Sequence, residues 1–202
     1  MGVKERRERE EGARLAAILS AAERIFAERG YFHARMDDIA EASELAKGTL
    51  YYYFKSKDEI FVHLLERETR KVHEELQRRI SGRESFLEIL EVWIEFYLEY
   101  FENNPGFLRM FLPCMGGMIR FEDESARQRL IQNAEQWRSL RDMLKKKIAR
   151  ERVPFSLDEI LKFLKTLQIG MGVKLLEGDK ADARAAGRFF LEIMKRVMED
   201  KS

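Results

Sequence analysis

The sequence is poor in cysteine and in long apolar runs, and each shortage excludes a class of protein. Its single cysteine, Cys114, excludes an internal disulfide framework and a multi-cysteine zinc site. The most apolar tract, 107–119, is interrupted by Pro113 and the Gly116-Gly117 pair and is too short to span a bilayer. The stretch 4–14 carries mixed charges where a secretory signal would be apolar. We therefore expect a soluble cytoplasmic protein without a membrane partner.

Excess charge and recognisable catalytic motifs are also missing. The 37 Lys and Arg residues nearly balance 36 Asp and Glu, so the net charge is only +1 and any DNA-binding surface must be local. The sequence shows neither a nucleophile beside a base nor a phosphate-binding glycine loop. His33, His63 and His73 lack the spacing of a metal site. The sequence therefore predicts no enzyme, no cofactor and no metal.

Proline is scarce, and the apolar pattern is helical. Only three prolines occur, and most long segments place apolar residues at three- and four-residue spacing, without the alternation of a half-buried strand. The first apolar stripe ends at Gly30, a residue type that often terminates helices. These features predict an all-α fold of about nine helices.

The N-terminal part divides into a small domain and a connecting helix. Two short helices are predicted at 36–42 and 47–54, separated by a tight turn. Ser56 and Glu59 have the spacing of a capping box, which predicts the start of a helix over 57–80. We therefore expect a domain at 1–56 and a second at 57–202, joined by this helix.

The larger domain is predicted to be a helical bundle. A helix at 86–101 is apolar on nearly every side, as expected at the centre of a bundle. The other helices are predicted from about 107 to Pro113, as one long helix over about 130–153, at 157–176 and at 182–198.

The segment 47–54 carries the features of a DNA recognition helix. Wound at roughly 100° per residue, it places Leu50 and Phe54 on one face and Gly48, Thr49 and Tyr52 on the opposite face. Glycine permits a close backbone approach, threonine can contact base edges, and tyrosine hydroxyls can reach phosphates. The residues themselves therefore indicate a helix-turn-helix.

Plainer explanations compete with a nucleic-acid role at three places. The cluster 51–54 could be core, but adjacent tyrosines spanning most of a turn cannot all face one side. The stretch 4–14 is either an arm for the operator backbone or, by default, a frayed solvated extension. The basic run 145–147 near a helix C-terminus favours a solvated face, through the helix dipole. Cys114 is expected to be a buried structural thiol rather than a redox sensor.

The stretch 18–60 resembles the tetracycline-repressor (TetR) family of bacterial regulators. The residues that carry the resemblance are Ala21-Ala22, Phe26, Gly30, Asp38-Ile39-Ala40, Gly48-Thr49-Leu50-Tyr51, Phe54 and Lys57. The resemblance implies a homodimer that binds a palindromic operator, usually as a repressor, and releases it when a small molecule enters the C-terminal domain.

The same resemblance assigns roles to individual residues. It gives base contacts to Lys47, Gly48 and Thr49, and phosphate contacts to Tyr51, Tyr52, Tyr53 and Lys57. Further contacts are expected from the start of the second helix, at Arg35, Met36 and Asp37.

The sequence departs from the family pattern at three positions in this region. Glu44 replaces the usual turn glycine, Ala46 replaces a serine cap, and Arg35 replaces a threonine. Loss of a helix cap costs about 1 kcal/mol. The operator sequence therefore transfers from the family less readily than the fold.

Aromatic and methionine residues of the larger domain are candidates for the wall of an effector cavity. The candidates are Trp93, Phe96, Tyr97, Phe101, Phe107, Met110, Phe111, Met115, Met118 and Trp137. They predict an apolar or amphipathic effector, although the same residues could simply fill the core. A structural DNA-binding protein without a ligand is the alternative function, and an enzyme is a weaker one.

The last two helices are predicted to form the dimer interface as a four-helix bundle with a second copy. The residues assigned to it are Leu164, Leu167, Gly170, Met171, Val173, Leu175, Ala186, Phe189, Phe190, Ile193 and Val197. Gly170 and Gly172 are expected to allow a close helix approach.

Overall fold

The computed structural model describes residues 2–199, apart from the side chains of residues 3 and 136. Within that range the protein is all-helical, which confirms the predicted fold class, but it has ten α-helices rather than nine. The helices are α1 (Val3–His33), α2 (Met36–Ala42), α3 (Lys47–Tyr53), α4 (Lys57–Ile80), α5 (Phe86–Asn103), α6 (Pro105–Met115), α7 (Glu124–Asn133), α8 (Arg138–Arg150), α9 (Leu157–Leu176) and α10 (Lys180–Glu199). The outer ends of the two predicted domains, residue 1 and residues 200–202, lie outside the described part.

The first helix is longer than predicted at its start and broken where predicted. Gly30 has φ +72° and ψ 166°, so the helical path is interrupted there before one further turn. The stretch 4–14 is helical and exposed, which corrects the expected frayed extension. Ion pairs one turn apart, Arg6 with Glu10 and Arg7 with Glu11, run along its surface.

The turn between α2 and α3 forces a left-handed conformation on a residue that is not glycine. Glu44 has φ +57°, and the amide of Leu45 beyond it donates to the carbonyl of Ala40 at 3.1 Å. This is the helix-ending geometry that normally selects glycine, since a Cβ crowds the backbone there. The departure of Glu44 from the family pattern therefore carries a cost in conformational energy.

Two predicted boundaries were wrong, and both lie between α6 and α8. The predicted long helix over about 130–153 is two helices, α7 and α8, joined by a 3-10 turn at Ala134–Trp137. Asp123 begins α7 by accepting from the amides of Ser125 and Ala126. The apolar periodicity missed α7 because it is mostly polar, and Ala126 is its one buried residue in this description. In addition, α6 continues past Pro113 to Met115.

A single apolar core runs from α1 to α10, and its centre is α5. The helix α5 buries nine residues, among them Phe86, Phe96 and Phe101. At Gly187 of α10 a Cβ would lie 2.6 Å from Cγ2 of Ile94, so only glycine permits this approach of α10 to α5. None of the helices in residues 2–199 combines the length and apolarity needed to cross a bilayer.

The packing of α9 and α10 corrects part of the predicted dimer surface. Leu164, Met171 and Phe190 are buried within their own chain, so they are not free to meet a partner. Gly172 likewise faces α6, where a Cβ would lie 2.8 Å from Cδ2 of Leu112, whereas nothing lies within 4 Å of the corresponding point on Gly170. The apolar periodicity identified these helix faces but could not tell which would be covered by the same chain.

Relief of the strained turn gives a test of the α2–α3 geometry. We expect Glu44→Gly to raise the free energy of unfolding by about 1 kcal/mol, because glycine adopts φ +57° without strain. The matched change Glu41→Gly, at an exposed position inside α2, should lower it by about 1 kcal/mol. Urea denaturation of both variants measures the two shifts. Shifts of the same sign would contradict the left-handed assignment.

Candidate nucleic-acid interface and ligand cavity

The helix α3 presents one apolar face to the core and one polar face to solvent. Leu50 is fully buried and Phe54, which caps the helix, is 3% exposed. On the other side Tyr52 is 71% exposed and Tyr51 44%, Gly48 is exposed, and Thr49 is half-buried. This arrangement confirms the predicted winding of the segment. The helix lacks a side-chain cap at Ala46, as its sequence indicates.

The cationic and acidic residues predicted to lie at the DNA contact each other. Nζ of Lys47 lies 2.9 Å from Oδ2 of Asp37, which joins the first turn of α3 to the first turn of α2. The hydrogen bond from Lys47 lowers the pKa of Asp37. Arg35 is exposed beside them, and Met36 is half-buried. Any base contact by Lys47 therefore has to compete with Asp37.

The side chain of Lys57 contacts the end of α1 within its own chain. Its Nζ donates to the carbonyls of Tyr31 (3.0 Å), Ala34 (3.3 Å) and Phe32 (3.5 Å), and lies 4.5 Å from the centre of the Tyr31 ring. These are carbonyls at the end of α1, past the break at Gly30. An ammonium has three N–H donors, so the contacts to α1 use its full capacity. The phosphate role of Lys57 stays a prediction.

The N-terminal extension of α1 forms the second wall of a cleft at α3. Arg7, Glu10, Glu11 and Arg14 face Gly48, Thr49, Tyr52 and Tyr53 across about 570 Å³. The extension therefore stands beside the exposed face of the predicted recognition helix.

A buried carboxylate at the start of α4 joins the end of α1 to the segment that precedes α7. Asp58 is 5% exposed and accepts the hydroxyl of Tyr31 on one oxygen. Its other oxygen accepts the amides of Glu122 (2.8 Å) and Asp123 (3.1 Å), just before α7. The pKa of Tyr31 is raised, mainly by burial and secondly by the hydrogen bond to Asp58. The hydroxyl of Tyr31 therefore remains a donor. We call this group of contacts the α4 junction.

Polar contacts continue from the α4 junction along the whole length of α7. Ser56 donates to Asp123 at 2.7 Å, Arg129 pairs with Glu66, and Asn133 donates to Thr69 at 2.8 Å. We call these contacts, together with the α4 junction, the polar seam between α4 and α7. Thr69 matters further because it also lines a cavity.

His63 lies inside this seam, behind α3. Its ring packs edge-on against Phe54 with the centroids 5.8 Å apart, and its Nδ1 lies 3.3 Å from a guanidinium nitrogen of Arg129. Since arginine only donates, Nδ1 must accept. The pKa of His63 is lowered, mainly by burial and secondly by the positive charge of Arg129.

An aromatic cavity of about 350 Å³ opens between α4, α5, α6, α8 and α9. Its lining residues are Thr69, Trp93, Tyr97, Phe111, Ala134, Trp137, Leu140, Arg141, Leu144, Leu161 and Lys165. The volume falls within the range of small-molecule sites, roughly 300 to 1,000 Å³.

Four of the ten predicted pocket residues line this cavity, and six do not. Trp93, Tyr97, Phe111 and Trp137 form its aromatic wall. The others are corrected as follows: Phe96, Phe101, Phe107 and Met110 are buried in the core and do not line the cavity, Met115 is half-buried and does not line it, and Met118 is 61% exposed.

Several wall residues escaped the sequence prediction because composition does not identify a cavity. Leu140 and Leu144 follow Trp137 at helical spacing, so this part of the wall had a usable signal. Arg141 and Lys165 had none, because an exposed cation looks the same in sequence whether or not a cavity lies beside it.

Unpartnered polar atoms are concentrated around the cavity. Nδ1 of His73, Nε1 of Trp93 and Nε2 of Gln168 are buried without a hydrogen-bond partner among the described residues. The rings of His73 and Trp137 pack with centroids 4.6 Å apart, and Gln168 lies close enough to Tyr97 to influence its hydroxyl, so all three groups adjoin the aromatic wall. Each buried polar atom without a hydrogen bond lowers the stability by about 1 to 3 kcal/mol. A ligand or a rearranged wall that supplied the missing hydrogen bond would offset this loss.

The outer side of α9 and α10 carries exposed apolar side chains. Of the predicted dimer residues, Gly170, Val173, Ala186, Phe189 and Ile193 are exposed, and Leu167, Leu175 and Val197 are half-buried. Phe155, Phe163 and Leu176 are exposed as well and were not predicted. Phe155, Phe163 and Ile193 line one groove of about 270 Å³.

Comparison with known proteins gives a family match for the N-terminal part of the chain. Residues 18–64 match the family model described as "Bacterial regulatory proteins, tetR family". An uncharacterised HTH-type transcriptional regulator of Mycobacterium tuberculosis is 34% identical over 110 residues, covering 53% of this chain and 54% of the relative. The HTH-type transcriptional regulator QacR of Staphylococcus aureus is 32% identical over 104 residues, covering 43% and 55%.

Solved structures share the fold well beyond the matched residues 18–64. The transcriptional regulator FadR from Bacillus subtilis, in complex with stearoyl-CoA, has a TM-score of 0.71 at 18% identity, covering 89% of this chain and 96% of that one. The family match covers residues 18–64 and agrees with the resemblance carried by the stretch 18–60. The chain spans about half the length of the curated relatives named above.

The buried histidines give a pH dependence with a defined sign. Burial lowers the pKa of His63 and of His73 below 6.5, so below about pH 6.5 the unfolded chain binds protons that the folded chain does not. We expect the free energy of unfolding to fall from pH 7.5 to pH 5.5. The double variant His63→Gln/His73→Gln should flatten this fall. His33→Gln, at an exposed position, is the control, and denaturant titrations across this pH range measure the slopes.

If the free energy of unfolding falls equally with pH in the wild type and the double variant, the buried histidines are not the cause of the pH dependence. A second and separate loss is expected below pH 4, because hydrogen bonds from Ser125 and Ser56 lower the pKa of Asp123 from 3.8 to about 2.

Proposed function

We propose that the protein is a sequence-specific DNA-binding transcriptional regulator whose operator affinity is changed by a small apolar or amphipathic molecule. The observation that carries the proposal is the exposed polar face of α3, which lies within the stretch that matches the tetR family. The cavity of about 350 Å³ favours this function over a structural DNA-binding protein, because a structural protein has no need of an aromatic cavity. Repression is the expected mode.

The recognition step follows from the geometry of α3. Thr49 and the backbone of Gly48 contact base edges in the major groove, and Lys47 joins them when it leaves Asp37. Tyr51, Tyr52 and Tyr53 donate to phosphates from the flanks of the same helix. Arg35 adds a phosphate contact from the start of α2, where Met36 and Asp37 adjoin the groove. Residues 1–56 thus act as the reader, and 57–202 as the sensing and dimerising body.

Ligand binding acts on the reader through α4. A molecule in the cavity contacts Thr69 of α4 and the 3-10 turn that follows α7. It therefore displaces the end of the polar seam at which Asn133 donates to Thr69. The other end of the seam is the α4 junction, which holds the last turn of α1. A coupling of about 1 to 3 kcal/mol between the two sites weakens operator binding roughly 5 to 150-fold. Operator DNA must then weaken ligand binding by the same factor.

The operator is palindromic because the regulator is a homodimer. A second copy covers the exposed apolar residues of α9 and α10, and the two reader helices then lie about 34 to 36 Å apart, one turn of DNA. No atom lies within 4 Å of the point where a Cβ of residue 170 would lie, so Gly170 allows the helices of the two subunits to approach closely.

Selection of bound sequences from random DNA tests the function directly, and variants then separate the roles. Thr49→Ala should change the relative affinity for operator variants by about 1 kcal/mol or more at one base pair, because a base-edge contact is lost. Tyr52→Phe should weaken all operators alike, because it removes one phosphate hydrogen bond. Fluorescence anisotropy at fixed salt measures both. No enriched sequence at low salt would refute sequence-specific binding.

Lys57→Ala extends this experiment to the salt dependence. If Lys57 contacts a phosphate, its loss reduces the slope of log affinity against log salt by about one unit. If it only holds the end of α1, the slope is unchanged and the free energy of unfolding falls instead. Lys55→Ala, at the exposed neighbouring position, is the control for removal of a cation near α3.

The dimer surface is tested at a residue that its own chain leaves uncovered. Phe189 is 68% exposed, so Phe189→Asp should convert the dimer to a monomer with little effect on the subunit core. Ile131→Asp is the matched control, because Ile131 is 71% exposed but lies on α7. Sedimentation velocity distinguishes the species. A Phe189→Asp protein that sediments like the control would exclude α10 from the interface.

A further inference from the structure

The charged side chains at the cavity are all cationic. Of the eleven lining residues, nine are uncharged, and the other two are Arg141 of α8 and Lys165 of α9. No carboxylate lines the cavity within the described part of the chain. The whole chain is nearly balanced, with 36 acidic and 37 basic residues, so the positive charge of the cavity lining is a local property.

The two cations differ in their partners. Arg141 lies 3.0 Å from Oδ1 of Asp158, an ion pair in which both side chains are largely exposed. Lys165 is exposed and has no carboxylate within ion-pairing distance among the described residues. The Arg141–Asp158 pair is nearly neutral from a distance, whereas Lys165 leaves one positive charge beside the aromatic wall.

We propose that the effector is an amphipathic anion, with its apolar part against Trp93, Tyr97, Phe111 and Trp137 and its negative head at Lys165 and Arg141. The inference rests on the proposed function and specifies the chemical class of its ligand. The head group is a carboxylate, a phosphate or a sulfate, since each accepts hydrogen bonds from an ammonium and a guanidinium. The volume of about 350 Å³ suits one apolar chain or a small ring system.

The opposite ligand charge is disfavoured by the same geometry. An apolar cation would place its head near Lys165, and no carboxylate lines the cavity in the described part of the chain to compensate for the repulsion. A neutral ligand would gain the apolar contacts but nothing from the two cations. The order of affinity is therefore anion, then neutral molecule, then cation.

The protein's tryptophans make this order measurable inside the cavity. The chain has two tryptophans, and both Trp93 and Trp137 line the cavity, so intrinsic fluorescence reports on its occupancy. Decanoate, decanol and decyltrimethylammonium share one chain and differ in head-group charge. Titration of the full chain should give about three- to tenfold tighter binding of decanoate than of decanol, and weaker binding of the ammonium. Decyl phosphate in parallel distinguishes a phosphate from a carboxylate site.

Charge reversal supplies the decisive comparison. Lys165→Glu should reverse the order of decanoate and decyltrimethylammonium, while Lys162→Glu, on the exposed side of the same helix, should keep the wild-type order. Equal affinities for the three head groups in the wild type would overturn the anion assignment and leave an apolar cavity. If no probe changes the fluorescence, both the anion assignment and the proposed ligand binding are overturned. Operator binding is measured separately and would not be affected by this result.

Discussion

The arrangement of reader and body depends on one buried carboxylate. Asp58 is satisfied by three donors from two other segments, the hydroxyl of Tyr31 and the amides of Glu122 and Asp123. A buried carboxylate that lost these donors would be strongly destabilising, so the three segments must stay together for as long as Asp58 remains buried. The position of α1 relative to α7 is thereby fixed by hydrogen-bond geometry and not only by packing.

Apolar and ionic contacts reinforce the same place. Rings of Tyr31, Phe61 and Phe121 meet edge-on or tilted beneath the carboxylate, with centroids 4.9 to 5.9 Å apart. Further along α4, the buried Glu68 accepts from Arg67, Lys71 and Tyr100 and so ties α4 to α5. The helix α4 is therefore held to the reader at one end and to the body along its middle, which makes it the element through which the two can communicate.

The sequence predicted what helical periodicity controls and failed where tertiary contacts decide. Leu50 and Phe54 turned inward and Tyr52 outward because the winding of a helix is local. By contrast, Phe190 and Phe189 are chemically identical neighbours, and only the position of α5 and α9 determines that one is covered and the other exposed. Met118 was expected in a cavity because it is apolar, yet the loop that follows α6 leaves it in solvent. The split between α7 and α8 was missed because a capped polar helix produces no apolar stripe.

The composition of the polar seam also sets how it can move. Apart from Ala126, α7 buries no residue in the described structure, and it is held to α4 mainly by hydrogen bonds. Water can replace each of these partners in turn, so α7 can shift without the loss of hydrophobic burial that an opening of the α5 core would require. Such a rearrangement belongs to the microsecond to millisecond range of local transitions, far below the time needed for global unfolding. The fold therefore allows a rearrangement of α7 whose speed is limited by local hydrogen-bond exchange rather than by the stability of the protein.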